Sequence, residues 1–159
     1  MYKNRILILG LFAMLFIVLT ISLSTIAYAQ GLNVSKRTTT GDDYSPGSNI
    51  QFVINLTNTE SSNITHINVT DIYNISCVNY TWANISHTSI SDGYIIWEDL
   101  LGTPLPPGNT TSLVVNFTAL AQCNTTNNVS VNSTNTTFTF PNQGSYQFII
   151  GGDGGPGDG

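Results

Sequence analysis

The sequence predicts an all-β fold, a sandwich or barrel of antiparallel strands, and three observations support this prediction. Several runs, such as residues 50–57, alternate apolar and polar side chains with a period of two, which places one set inward and the other in solvent. Turn-forming residues separate these runs at intervals of roughly 10 to 15 residues. No stretch after residue 29 has the apolar spacing of an amphipathic helix.

The first 29 residues have the parts of a secretory signal peptide, which we expect to be helical. Lys3 and Arg5 give a positive start, residues 6–23 are apolar, and Ala27-Tyr28-Ala29 is a small-x-small cleavage site. We therefore expect the mature chain to begin at Gln30. An uncleaved membrane anchor is the alternative, because an apolar stretch of about 18 residues is near the lower limit for spanning a bilayer.

The strands of the predicted domain follow in order along residues 30–135, beginning with Leu32–Thr38. A Ser-Pro-Gly-Ser turn at residues 45–48 precedes the first strong run, and Asp-Gly and Pro-Pro-Gly sequences mark later turns. Tyr94–Leu100 is predicted as a further strand. The predicted inward residues of the alternating runs are Ile50, Phe52, Ile54, Leu56, Ile67, Val69, Val78, Tyr80, Trp82, Leu113, Val115, Phe117, Ala119, Val129 and Val131.

The C-terminal part has a different pattern. In residues 136–150, Phe138 and Phe140 precede a Pro-Asn-Gln-Gly turn sequence at 141–144 and an alternating run that ends at Ile150. This pattern predicts a hairpin or an edge strand attached to the domain. The glycine-rich tail, residues 151–159, has no side chains that form a core and is predicted to be disordered.

Acceptor sequons of the form N-x-S/T are far more frequent than composition explains. After Ala29 the chain has 130 residues with 17 Asn and 32 Ser or Thr, and random placement would give roughly four sequons. Each accepted glycan is a bulky, solubilising surface group. The sequence therefore predicts a secreted glycoprotein with thirteen acceptors: Asn33, Asn55, Asn63, Asn68, Asn74, Asn79, Asn84, Asn109, Asn116, Asn124, Asn128, Asn132 and Asn135.

Cys77 and Cys123 are the two cysteines of the chain. An even count in an exported protein favours a disulfide, and two buried free thiols are the alternative. In the chain-entropy description, closing a loop of this length stabilises the folded state by up to about 4 kcal/mol.

Charge is scarce and negative. After the predicted cleavage the only bases are Lys36 and Arg37, against nine acids. This balance argues against nucleic acid or anionic lipid as a partner. The predicted glycans supply the hydration that the low charge does not.

Short motifs in a fixed order give residues 32–134 a resemblance to a known module. The order is a Pro-Gly turn, a strand ending in Thr-Asn, an Asn-Val-Thr-Asp strand, a Trp, a Leu-x-Pro-Gly turn and two strands. The chain resembles the immunoglobulin-like surface repeat catalogued as domain of unknown function 11 (DUF11). The matching residues are Tyr44-Ser-Pro-Gly47, Ile50–Asn58, Asn63–Asp71, Trp97, Leu105-Pro-Pro-Gly108, Leu113–Thr118 and Asn128–Val131.

That module repeats in archaeal and bacterial adhesin-like and S-layer-associated proteins, usually in tandem and often without cysteines, whereas this chain has one copy. The resemblance implies a single Ig-like antiparallel β-sandwich of about seven or eight strands, used for spacing, display and adhesion without catalysis. Together with the sequons it points to an archaeal cell envelope.

We predict no catalytic residue, metal site or cofactor. His66 and His87 are interpreted as surface residues, because no nucleophile–His–acid spacing is visible. The acids are interpreted as solvated loop carboxylates or turn caps, with calcium ligation as the alternative. Asp71 in particular is expected to bond to turn amides. The acids considered are Asp42, Asp43, Asp71, Asp92, Glu98 and Asp99.

Two further features have alternative interpretations. Trp82 and Trp97 are expected in the core, with the lining of a sugar-binding surface as the alternative. The run at Tyr146–Ile150 is expected to complete its own domain, with donation to a neighbouring subunit's sheet as the alternative.

The sequence as a whole predicts a non-enzymatic protein of the extracellular cell surface with a structural or adhesive role. The alternatives are a fibre subunit assembled by strand exchange and a secreted carbohydrate-binding module. The expected partners are other envelope or surface proteins, including copies of itself. Contact with a membrane is expected only through an uncleaved anchor.

Overall fold

The computed structural model describes residues 31–39, 41–135 and 139–151, which form ten β-strands. The predicted signal peptide and residues 152–159 of the tail lie outside this part. Within it there is no helix with the length and apolarity needed to cross a membrane. The strands are β1 (Leu32–Thr38), β2 (Asp43–Tyr44), β3 (Asn49–Asn58), β4 (His66–Ile72), β5 (Val78–Ala83), β6 (Ser89–Ser91), β7 (Tyr94–Trp97), β8 (Thr110–Ala119), β9 (Cys123–Thr134) and β10 (Thr139–Ile150).

The strands form two sheets that pack face to face. One sheet has four strands in the order β1-β3-β8-β5, and the other has six in the order β2-β10-β9-β4-β7-β6. Every pairing is antiparallel except that of β10 with the two-residue β2. The predicted all-β sandwich is confirmed, and it has more strands than expected because β2 and β6 are too short to leave a periodic pattern.

The core lies between the sheets and follows the period-two alternation. Phe52 is at its centre, with its ring in edge-to-face contact with Phe117, Phe148 and Tyr146 at centroid distances of 5.8, 5.4 and 5.9 Å. Such contacts add to the free energy of burying each ring. The predicted inward residues that are buried are Ile50, Phe52, Ile54, Leu56, Ile67, Val69, Val78, Leu113, Val115, Phe117, Ala119, Val129 and Val131.

The prediction of an inward Trp82 is wrong. Its side chain is 46% exposed. The pairing of β5 with β8 shifts register between Tyr80 and Trp82. A bulge of this kind inserts one residue, so the alternation along β5 reverses after it and the indole points outward.

The C-terminal part differs from the predicted turn at residues 141–144. Thr139–Ile150 is instead one strand, paired in antiparallel register with β9 along its whole length. A twelve-residue antiparallel ladder with β9 supplies backbone hydrogen bonds along the whole strand, which outweighs the local turn preference. Beyond β10, the Gly151 amide donates a hydrogen bond to the Tyr44 carbonyl at 2.7 Å.

The predicted disulfide is present between Cys77 and Cys123, whose Cα atoms are 5.8 Å apart. Cys77 precedes β5 in the four-stranded sheet, and Cys123 begins β9 in the six-stranded sheet. The disulfide therefore joins the two sheets at one end of the sandwich.

We expect the Phe52→Ala variant to lose about 3–5 kcal/mol of unfolding free energy, because truncation leaves a cavity among three aromatic rings. Urea unfolding followed by fluorescence measures the change. Ile90→Ala is the control, because Ile90 lies exposed on the outermost strand β6. Equal losses in the two variants would contradict the central position of Phe52.

Candidate functional site

Three polar side chains meet in the interior of the sandwich: Lys36, Asp71 and Asn127. They come from β1, β4 and β9, so two strands of one sheet face one strand of the other. Each occupies an inward position of its strand, in phase with apolar neighbours on the same face. We call these residues the buried triad.

The triad is held by short contacts to the lysine amine. Lys36 Nζ donates to Asp71 Oδ1 and to Asn127 Oδ1, both at 2.7 Å. The side chains of Lys36 and Asp71 have no solvent-exposed surface. The ring of Phe52 covers the amine, with its centroid 5.1 Å from Nζ. The amine is therefore enclosed by one acid, one carboxamide and an aromatic face.

Two polar atoms of the triad have no hydrogen-bond partner. They are Asp71 Oδ2 and Asn127 Nδ2, both buried. An unpaired buried polar atom costs roughly 1–3 kcal/mol, and such atoms in native structures are uncommon. A purely structural role for the Lys36–Asp71 ion pair does not explain why these two atoms stay unpaired.

The close approach of β1 to the other sheet depends on Gly144 of β10. A Cβ atom at this position would lie 3.0 Å from the Val129 side chain and 3.1 Å from that of Val34. It would also lie 3.8 Å from Cβ of Lys36. Glycine at this point therefore allows β1 to lie against β10, which brings the Lys36 side chain within reach of β9.

Burial dominates the electrostatics of the triad. It lowers the pKa of the Lys36 amine, while attraction to Asp71 partly opposes the shift. Burial likewise raises the pKa of the Asp71 carboxyl, opposed by Lys36 and to a smaller extent by Asn127. Both shifts favour the uncharged forms, an amine and a carboxylic acid. The arrangement thus places a nucleophile, an acid and a carboxamide in contact, with the Lys36 and Asp71 side chains shielded from solvent.

The interpretation of Asp71 as a solvated or turn-capping residue is wrong, because its carboxylate is buried against Lys36. Among the other acids, Asp42 accepts a hydrogen bond from the Tyr146 hydroxyl. In the described ranges, no group of three or more His, Cys, Asp or Glu side chains is arranged to hold a metal ion.

The two histidines lie outside the triad and have simple polar contacts. His66 is exposed at the start of β4, with Nδ1 3.0 Å from Thr65 Oγ1. Its predicted surface position is confirmed. His87 Nδ1 lies 3.3 Å from the Tyr80 hydroxyl.

Trp97 lies in the core as predicted, and its Nε1–H donates to the Ile85 carbonyl at 3.0 Å.

A shallow depression of about 400 Å³ lies along β4, β9 and β10, and its lining includes the polar side chains of Asn128, Ser130 and Gln143. Its lining includes no histidine and no acid.

The sequon asparagines are distributed over the outside of both sheets and their loops. Asn55 is half-buried, while Asn116 and Asn135 are 4% and 7% exposed. The remaining ten are exposed: Asn33, Asn63, Asn68, Asn74, Asn79, Asn84, Asn109, Asn124, Asn128 and Asn132.

The burial of Asn116 corrects the prediction that it points into solvent. It lies on β8 between Gln51 of β3 and Trp82 of β5. Directly paired residues share a face of the sheet, so the indole that the bulge turns outward stands beside Asn116.

No protein-family model matches the chain, and no curated protein matches it, so the resemblance to DUF11 stays a prediction. Solved structures do match. The cohesin module of a Clostridium perfringens family 33 glycoside hydrolase gives a TM-score of 0.59 at 12% identity, over 77% of this chain and 99% of that chain.

A cohesin from scaffoldin B of Acetivibrio cellulolyticus, solved with a dockerin, gives a TM-score of 0.52 at 16% identity, over 77% and 99% of the two chains. The Bacillus cereus major pilin subunit BcpA gives 0.57 at 8% identity, over 76% of this chain and 40% of that chain. At these identities the likeness shows the fold: the chain is a two-sheet β-sandwich of the kind found in cohesin modules and pilin subunits.

Sequence reasoning missed Lys36 and Asn127 as site residues. The signal was available in the alternation: Lys36 continues the phase of Leu32 and Val34, and Asn127 continues that of Val129. Asn127 is also outside every sequon. The periodicity places each residue inward but does not say that they meet.

We expect Lys36→Met to make stability depend on pH. Without the amine, burial keeps the folded pKa of Asp71 above its unfolded value of 3.8. The folded state then holds the proton to higher pH than the unfolded state. Unfolding free energy should be highest below about pH 4 and fall as pH rises toward the folded pKa, by about 1.4 kcal/mol per unit between the two pKa values.

Urea unfolding between pH 3 and 8 measures this dependence. The double variant Lys36→Met/Asp71→Asn is the control, because it has no titrating group at the site. A single variant whose stability rises with pH more than that of the control would contradict the burial of Asp71.

Proposed function

We propose that this protein is an exported, N-glycosylated component of a cell surface, with a structural or adhesive role in an envelope and no enzymatic activity on other molecules. The observation that carries the proposal is the exposure of ten sequon asparagines on one small sandwich. Glycans at these positions would cover a surface that has few charges.

Other observations support the same role. The inter-sheet disulfide is typical of proteins in oxidising, extracellular compartments. The fold is shared with a major pilin subunit and with cohesin modules, one of them solved with its dockerin. We infer that the partners are proteins of the same envelope and that the cell is archaeal, as the DUF11 resemblance implies.

The strand-exchange alternative has less support than the monomeric domain. Residues 145–150 pair with β9 over their full length, and the last two also pair with β2. A strand that is already paired within its own sheet must first lose those backbone hydrogen bonds before it can be donated to a neighbour. Size-exclusion chromatography of the native protein distinguishes the two: a monomer favours the display role, and a concentration-dependent series of oligomers favours the fibre.

We expect glycans at the exposed sequons and none at Asn116 or Asn135 in the folded native protein, because a glycan needs open space beyond its asparagine. Glycopeptide mass spectrometry of protein from its native host measures occupancy site by site. Asn128 is the internal control. It is exposed although its neighbours along β9 are buried, and it should carry a glycan.

The surface location has its own test. Treatment of intact cells with a protease that does not cross membranes should remove the protein, while an intracellular marker stays intact. Unglycosylated protein that is protected in intact cells would contradict the proposal.

A further inference from the structure

We propose that Lys36 and Asn127 become covalently joined inside the folded domain, by an isopeptide bond between Nζ and Cγ, with Asp71 as the acid–base residue. The chain would catalyse this reaction on itself, once, and keep the product. The bond would connect β1 of the four-stranded sheet to β9 of the six-stranded sheet. This inference goes beyond the proposed surface role and does not depend on it.

Proximity is the first argument. Lys36 Nζ is 2.7 Å from Asn127 Oδ1, and the carboxamide carbon is one bond beyond that oxygen. Reacting atoms held at about 3–3.5 Å gain most of the advantage of an intramolecular reaction. The residues are 91 positions apart in the sequence, so only the fold brings them together.

The protonation states are the second argument. An amine attacks only when it is uncharged, and burial favours the uncharged form of Lys36. The carboxyl of Asp71 is favoured in its protonated form by the same burial. A proton that moves from the ammonium to the carboxylate produces both reactive forms without any outside group.

The reaction balances within the triad. Nζ attacks Cγ of Asn127 while Asp71 donates a proton to the developing oxyanion, which gives a tetrahedral intermediate. Asp71 then accepts a proton from Nζ and delivers one to Nδ2. The carbonyl re-forms as the Cγ–Nδ2 bond breaks, ammonia leaves, and the hydroxyl proton of the intermediate returns to Asp71. No oxidant, metal or cofactor takes part.

The unpaired atoms are the third argument. Asn127 Nδ2 is the leaving group, and no hydrogen bond holds it in place. Asp71 Oδ2 is the free carboxyl oxygen that a proton shuttle needs. In a permanent ion pair, both unpaired atoms would lower the stability of the folded state. The reaction instead removes Asn127 Nδ2 as ammonia and uses Asp71 Oδ2 to carry protons.

The test uses the full chain, expressed where sequons stay unmodified, with the disulfide reduced. Intact mass spectrometry should give a mass below that of the sequence by one ammonia, about 17 Da. Lys36→Arg and Asp71→Asn should each restore the full sequence mass, because guanidinium is a poor nucleophile and an amide cannot shuttle protons. Asn128→Ala, at the exposed neighbour of Asn127, should still lose ammonia.

A digest locates the bond. Lys3 is the only other lysine in the sequence, so a lysine-specific protease should fail to cut after residue 36 in the denatured protein. A second digest should yield one branched peptide that contains both Lys36 and Asn127.

The wild-type result alone decides whether the bond exists, so the proposal does not require any variant to fold. A wild-type mass equal to that of the reduced sequence, with complete cleavage after Lys36, would overturn it. Loss of ammonia in a folded Asp71→Asn variant, checked by circular dichroism, would overturn the role of Asp71.

Discussion

The enclosure of the Lys36 amine between two sheets is the constraint around which the rest of this sandwich is arranged. A charged group taken out of water is costly unless its partners are placed well. Asp71 and Asn127 supply those partners from two adjacent strands of the opposite sheet, and Phe52 closes the remaining side. The Lys36 side chain on β1 therefore requires two features of the other sheet. One is the register of β4 against β9, and the other is the small residue at position 144.

Two connections between the sheets lie at different places in the sandwich. The disulfide joins the beginning of β9 to the residue before β5, and the buried triad joins the middle of β1 to a later residue of β9. β9 thus takes part in both. A small sandwich gains from such connections, because each one restricts the unfolded chain or fixes the sheets against sliding.

The outer faces of the two sheets differ from the interior in composition. Their side chains are mostly hydroxyl and amide groups, and most of the sequon asparagines are exposed there. The exception at Asn116 arises from a single bulge in β5, which turns Trp82 outward beside it. A local backbone irregularity can therefore decide whether a sequence motif is accessible, although the motif itself is unchanged.

The sequence by itself determined the class of fold, the inward residues of β3, β4, β8 and β9, and the pairing of Cys77 with Cys123, because period-two burial and a single cysteine pair are local or countable features. It did not determine the bulge in β5, the continuous strand β10, or the meeting of Lys36 with Asp71 and Asn127. Those depend on register between strands and on the approach of one sheet to the other. Only the tertiary structure sets these, because alternation gives the direction of a side chain and not the identity of what it faces.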